Sequence, residues 1–245
     1  MFKETSKELL DFLSKSPTAF HAVENYRQIL NADGFKELLE SEHWDIVPGG
    51  KYYVTRNNTS ILAFKVGTKL DNYSFNIVTS HTDSPTFKVK ENAEIEVKNK
   101  YTQLNTEGYG GMLCATWLDR PLSIAGRVLV SEGNSIVTKL LNIDRDLLMI
   151  PNVAIHMNRA ANDGFKYNLQ VDMLPLLSGG DDRQKDFKQI IADELGVKKE
   201  DILGHDLYLY NRMAPSIWGA NEEFISAGHL DDLQCGFASL KALLA

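Results

Sequence analysis

SFNIVTSHTDSPTFKVK, Ser74 to Lys90, is the stretch that decides how the rest of the chain is read. Phe75, Ile77 and Val78 predict a buried strand, bounded upstream by the polar Asp71 and Asn72. Pro85 lacks an N–H for a ladder and restricts Ser84 before it, so the strand is expected to end there. His81 and Asp83 then sit where a strand of an α/β sheet gives out, the end at which such sheets place ligands. Neutral imidazole is a good zinc ligand, and a carboxylate beside it fixes its tautomer and raises its basicity. In an extended run, residues two apart point to the same side, so both side chains can face one site. The plainer alternative is a half-buried histidine next to a solvated aspartate.

Composition narrows the function classes. The net charge of -7 and pI of about 5.4, with no basic run, argue against a nucleic-acid partner. Two widely separated cysteines, Cys114 and Cys235, make no disulfide framework and suit a reducing compartment. Lys3, Glu4, Lys7, Glu8 and Asp11 rule out a signal peptide at the start. No apolar run approaches the ~20 residues of a membrane span. The expectation is a soluble, cytoplasmic protein with neither nucleic acid nor membrane as partner.

Outward from the central stretch, Leu9, Leu10 and Leu13 predict a first helix over 5–14. Ser16-Pro17 predicts the capped start of a second, carrying Ala19, Val23, Tyr26 and Leu30 and ending at Gly34. His21 within it reads as a packed or solvated histidine. Lys51–Thr55 and Ser60–Val66 read as a hairpin about Arg56-Asn57-Asn58-Thr59. Past Pro85 the texture becomes strand-rich: Thr86–Lys90, Glu94–Lys98, Leu122–Val130, Ser135–Leu141 and Asp206–Tyr210. One helix over Phe187–Leu195 stops at Gly196, and a last one carries Leu233, Phe237, Leu240 and Leu244. This order predicts an α/β domain (residues 1–91), a strand-rich insert (92–221), and a returning α/β segment (222–245) that looks unfinished. The last helix is expected to leave apolar surface uncovered.

Asp231 and Asp232 fall at the start of that helix. Capping, favoured by the helix dipole, is the plain reading. The functional one makes Asp231 a carboxylate bridging two metal ions, which co-catalytic sites hold roughly 3.5–4 Å apart. Among smaller candidates, Cys114 and Cys235 read as buried small hydrophobes, and His43, His205 and His229 as surface or packing residues, His229 being near enough to Asp231 to support it. Asp119-Arg120 reads as an ion pair, and Gly179-Gly180-Asp181-Asp182 as a turn followed by a helix cap.

Taken together, several long segments in order carry a resemblance: SPTAFHAV (16–23), GKYYVTRNNTSILAF (50–64), SHTDSPTFKVK (80–90), YGGMLCATWLDRPLSIAGRV (109–128), IPNVAIHMNR (150–159), LPLLSGG (174–180) and EFISAGHLDDL (223–233). The chain resembles the aspartyl aminopeptidase family, zinc aminopeptidases of the aminopeptidase I type. The resemblance implies a metallopeptidase-type α/β catalytic domain interrupted by a strand-rich dimerisation insert. It implies His81 as a zinc ligand, Asp83 as the aspartate orienting it, and Asp231 as the carboxylate bridging two zinc ions. It implies that His156 is presented from the insert to a neighbouring subunit's active site, in dimers that assemble into dodecamers. Substrates would be peptides losing their N-terminal residue; the family name implies Asp or Glu, while related members favour neutral residues.

The chain departs from the family downstream of LDDL. The family's adjacent glutamates, one a general base, a further aspartate ligand and a C-terminal histidine all lie beyond that motif, so the chain is expected to be a catalytically incomplete fragment. Glu222-Glu223 precedes LDDL and matches the insert's return strand. Met112 and Pro121 are unusual for the family. Two alternatives stand beside the aminopeptidase: an inactive fragment keeping only the assembly module, and another two-metal hydrolase, a carboxypeptidase or amidohydrolase, on the same core. For His156, the plain reading is a histidine hydrogen-bonded in an irregular loop, with Val153, Ala154 and Ile155 anchoring the segment by burial and His156 and Asn158 sharing the polar side of an extended run.

Overall fold

A computed structural model describes residues 2–71, 74–179 and 186–245. Helix α1, Phe2–Ser14, and helix α2, Ala19–Ala32, form where the apolar spacing predicts them. The second begins two residues later than Ser16-Pro17 suggests, with Thr18 at its N-cap. Ser16 does not cap because it is fully buried and accepts a hydrogen bond from Asn25 at 2.9 Å. The short β1, Lys36–Glu37, lies parallel to β2, Lys51–Arg56, which pairs antiparallel with β3, Ser60–Lys65. Asn57 and Asn58 turn the hairpin with φ of 54° and 55°, the left-handed region that asparagine tolerates best after glycine.

The expected strand at Phe75–Val78 is not present. Ser74–Ser80 has no ladder partner among the described residues, and Phe75, Ile77 and Val78 are 83%, 79% and 69% exposed. Apolar pattern gives a segment the capacity to be a strand. Only hydrogen-bonded neighbours on its edges make it one.

Beyond Pro85 six strands form one antiparallel sheet. They are β4, Thr86–Val97; β5, Tyr101–Tyr109; β6, Leu122–Glu132; β7, Ser135–Asn142; β8, Leu176–Gly179; and β9, Ile202–Asn211. Their order is β7-β6-β9-β4-β5-β8. The two runs expected at 86–90 and 94–98 are one strand, kinked by a register shift between Val89 and Glu94. Phe87, Leu104, Leu122, Ile124, Leu207 and Leu209, each fully buried, make its core. Gly126 sits where a Cβ would lie 2.0 Å from the Asp206 carbonyl oxygen, so β6 and β9 approach as closely as they do because this residue is glycine. Helix α3, Phe187–Leu195, packs Phe187, Ile191 and Ala192 on the same core. Asp186 caps it by accepting the Gln189 N–H at 2.8 Å, and Gly196, at φ 63°, closes it as the sequence predicts. Of the acidic turn at Gly179–Asp182, residues 180–182 lie outside the described residues.

The chain then forms a small hairpin, β10, Ser216–Trp218, with β11, Phe224–Ser226, and ends in helix α4, Leu230–Leu244. Two compact units result: Met1–Ser84 with Ala214–Ala245, and Pro85–Met213. Against the expected limits of 91/92 and 221/222, residues 85–91 fall in the strand-rich unit because β4 runs through them, and 214–221 fall in the first because β10 pairs with β11. In the first unit Leu233, Phe237 and Leu240 of α4 are buried against Leu9, Phe12, Leu13 and Tyr26. The apolar surface expected on this helix is therefore covered by the helical layer. Among the described residues of this unit, Phe75, Ile77 and Val78 are the most exposed of the large apolar side chains.

His21 is packed within α2, its Nδ1 2.8 Å from the Thr18 hydroxyl, and burial lowers its pKa to about 4. Its folded pKa lies below the unfolded value of about 6.5, so the unfolded chain takes up the proton first as pH falls. This contribution to stability is complete above pH 6.5 and is lost between there and about pH 4, up to about 3 kcal/mol. Urea unfolding at pH 7 and pH 4.5 is expected to show the unsubstituted chain losing about 2–3 kcal/mol more than His21→Gln over that interval. Equal losses would remove His21 as the cause.

Candidate metal site

His81 comes directly after the unpaired Ser74–Ser80 segment, and Thr82 anchors the bend by donating to the Thr59 carbonyl at 2.6 Å. The imidazole is two-thirds exposed. Its Nδ1 lies 2.9 Å from Asp83 Oδ1. That contact leaves Nε2 as the nitrogen free for a ligand role. Asp232 Oδ2 lies 3.7 Å from the same Nδ1. The hydrogen bond to Asp83, then the charges of Asp232, Asp83 and Asp231, hold the imidazolium above its usual range.

Asp231 and Asp232 come from the start of α4. His229 occupies the N-cap position at φ 60° and makes no side-chain capping bond, while Asp231 lies off the helix at φ -86°, ψ 105°. A simple cap therefore does not describe Asp231. The Asp231–Asp232 peptide bond is cis. The Asp232 N–H donates to the Ser84 hydroxyl at 3.2 Å, tying the helix start to the loop that carries Asp83. The hydrogen bond with the Asp231 carboxyl, then desolvation, raises the pKa of Asp232. His229 is half-buried and desolvation lowers it to about 4, so it is neutral at pH 7.

His81, Asp83 and Asp231 are thus gathered in the first unit. Asp232 and Ser84 join them, and sequence reading assigned them no role in a metal site. The signal for Asp232 was the acidic doublet itself. Glu222 and Glu223 are engaged elsewhere: Glu222 pairs with Lys3 at 2.8 Å, and Glu223 accepts the Asn221 N–H at 2.7 Å.

His156 belongs to the strand-rich unit. It lies exposed in a turn over residues 155–157, where the Met157 N–H donates to the Ala154 carbonyl, and not in an extended run. Val153 and Ile155 are about half exposed, so burial is not the anchor either. The anchor is Asp119, whose carboxylate accepts the Asn152 N–H at 2.8 Å. Asp119 therefore serves the loop, and the expected Asp119-Arg120 ion pair is not formed. Cys235 is exposed and Cys114 half-buried, against the expectation that both are buried, because Cys235 lies on the solvent side of α4.

Imidazole Nε2 and carboxylate oxygens are the donor types zinc takes, and a ring held through Nδ1 by an aspartate is a usual support for it. In kind, these residues fit the metal. In number they hold one side of it: among the described residues no three His, Cys, Asp or Glu side chains converge as a metal-holding group.

The profile described as Aminopeptidase I zinc metalloprotease (M18) matches residues 12–245. The chain belongs to the M18 aminopeptidase family. It is 47% identical over 244 residues to the Probable M18 family aminopeptidase 2 of Clostridium novyi (strain NT), covering 97% of this chain and 56% of the relative. Among solved structures it is similar to the Ape4 and Nbr1 complex, at 34% identity and a TM-score of 0.93, over 99% of this chain and 50% of that one. It is also similar to the mApe1 dodecamer of S. cerevisiae, at 27% identity and a TM-score of 0.81, over 99% and 56%. The chain spans about half the length of the M18 relatives it matches. The mixed helix and strand architecture with its strand-rich sheet is that of the M18 aminopeptidases.

Proposed function

We propose that this chain carries part of a zinc-dependent aminopeptidase site that removes N-terminal residues, acidic ones among them, from peptides through two metal ions. The observation that carries the reading is the His81 ring pinned through Nδ1 to Asp83, with the Asp231 and Asp232 carboxylates beside it. What zinc supplies when bound is Lewis acidity toward a scissile carbonyl and the attacking water. His81 offers Nε2 as a ligand, Asp83 holds the ring's tautomer, and Asp231 offers two oxygens with the span to bridge a pair of ions. The strand-rich unit is the dimerisation module. His156 reaches from it to the partner's site, in a homodimer that builds toward a dodecamer. The S. cerevisiae relative, which is described as a dodecamer, supports the assembly reading. No helix among the described residues is long and apolar enough to cross a membrane, and both cysteines are free, which suits a cytoplasmic setting.

Competition with a chromogenic chelator tests the ligand assignments. His81→Ala is expected to abolish the tightest zinc binding of the chain. Asp83→Asn, which keeps the ring but weakens its support, is expected to lower zinc affinity about 10–100-fold. Affinity unchanged in both variants would remove the metal reading.

A further inference from the structure

Gly236 lies inside α4, where glycine is unfavourable by about 1 kcal/mol relative to alanine. A Cβ there would lie 2.2 Å from the Tyr26 hydroxyl oxygen and 2.9 Å from the His81 carbonyl oxygen. Tyr26 comes from α2, is 4% exposed, and its hydroxyl has no hydrogen-bond partner among the described residues. A buried hydroxyl without a partner is itself unfavourable. Two local penalties therefore meet at one point, directly behind the backbone of His81. Stability alone would favour a side chain at 236 and a smaller one at 26.

We propose that Tyr26 and Gly236 are a positioning pair for the metal site: the tyrosine hydroxyl sits in the notch left by the glycine and sets how closely α4, carrying Asp231 and Asp232 in its first turn, approaches the His81 backbone. This rests on the zinc reading given above. The glycine gives α4 room to approach, and the hydroxyl limits how far. A methyl group in the notch meets a phenol held by buried packing and a peptide oxygen, neither a flexible side-chain end. The separation between α4 and His81 must then change, and the imidazole moves with its backbone.

The test compares Gly236→Ala with Gly236→Ala/Tyr26→Leu in the 245-residue chain. The readouts are melting temperature, the NMR resonances of the His81 ring nitrogens, and zinc affinity by competition. Gly236→Ala is expected to lower the melting temperature by roughly 5–15 °C. It is also expected to shift the His81 ring resonances and to weaken zinc binding at least about tenfold. Removing the phenol frees the space, so the double variant is expected to recover at least half of each loss. If Gly236→Ala does not fold, the double variant is still expected to, and its failure to fold would overturn the proposal. Additive losses, or His81 resonances unmoved by Gly236→Ala, would do the same. Zinc binding insensitive to His81→Ala would instead sink the zinc reading, and the ring resonances with the stability coupling would still decide the positioning pair.

Discussion

Supplied with zinc, the 245-residue chain is expected to turn over neither aspartyl nor leucyl aminopeptidase substrates. A catalytic zinc takes three protein ligands, and a pair takes more. The described residues bring together His81 and Asp231 as candidate ligands, with Asp83 committed to the ring and Asp232 to Asp231 and Ser84, and no three-donor group results. A general base is the second requirement. The adjacent glutamates of this chain do not serve, since Glu222 is held by Lys3 and Glu223 by the Asn221 backbone. The rate is therefore expected at the uncatalysed background, ~10⁶-fold or more below that of a working enzyme. Turnover abolished by His81→Ala would refute this and show that two ligands and a neighbouring carboxyl suffice.

The second large effect is expected in a polypeptide of the relatives' length that includes this chain. His156→Ala and His81→Ala subunits are each expected to be nearly inactive. An imidazole donating to a developing oxyanion is worth ~2.7–4 kcal/mol when preorganised, or about 10²–10³ in rate. If His156 acts across a two-fold axis, a mixed dimer has one site with both lesions and one with neither. Random pairing of equal amounts then restores about a quarter of the sites. His156 lies exposed on a turn held from behind by Asp119, as a residue offered to another subunit must. No recovery, despite demonstrated subunit exchange, would make His156 a loop residue and nothing more.

What the sequence made legible was local. The Gly196 stop, the Asn57-Asn58 turn and the strands β6 and β7 all arise from residues close in the chain, as does the His81–Asp83 contact. What it hid depended on partners. Phe75, Ile77 and Val78 have the pattern of a buried strand, yet pattern cannot say whether a neighbouring strand is there. The stripe of α4 was expected to stay partly uncovered, but α1 and α2 cover it, because period 3.6 reports an apolar face and not its occupant. Asp232 was read only as part of a helix start, because its place beside His81 depends on Ser84, 148 residues away. The room at Gly236 could not be read at all, since it is set by Tyr26 and by the His81 backbone together.

The open segment at Ser74–Ser80 also bears on how the chain behaves at high concentration. From Asn72 to Ser80 the sequence holds no charge, no proline and no glycine, and Phe75, Ile77 and Val78 are strong β-formers. In the described residues its backbone edges are unpaired and its apolar side chains face solvent. Identical copies can stack such a segment in register, each satisfying the next one's amides, and Asp71 and Pro85 are the gatekeepers that bound the run. Any fibril formation at high concentration is therefore expected to depend on these seven residues, which lie outside both core clusters. A charge placed at Ile77, which is 79% exposed, is expected to suppress it in a thioflavin assay while leaving the helical layer and the six-stranded sheet as they are.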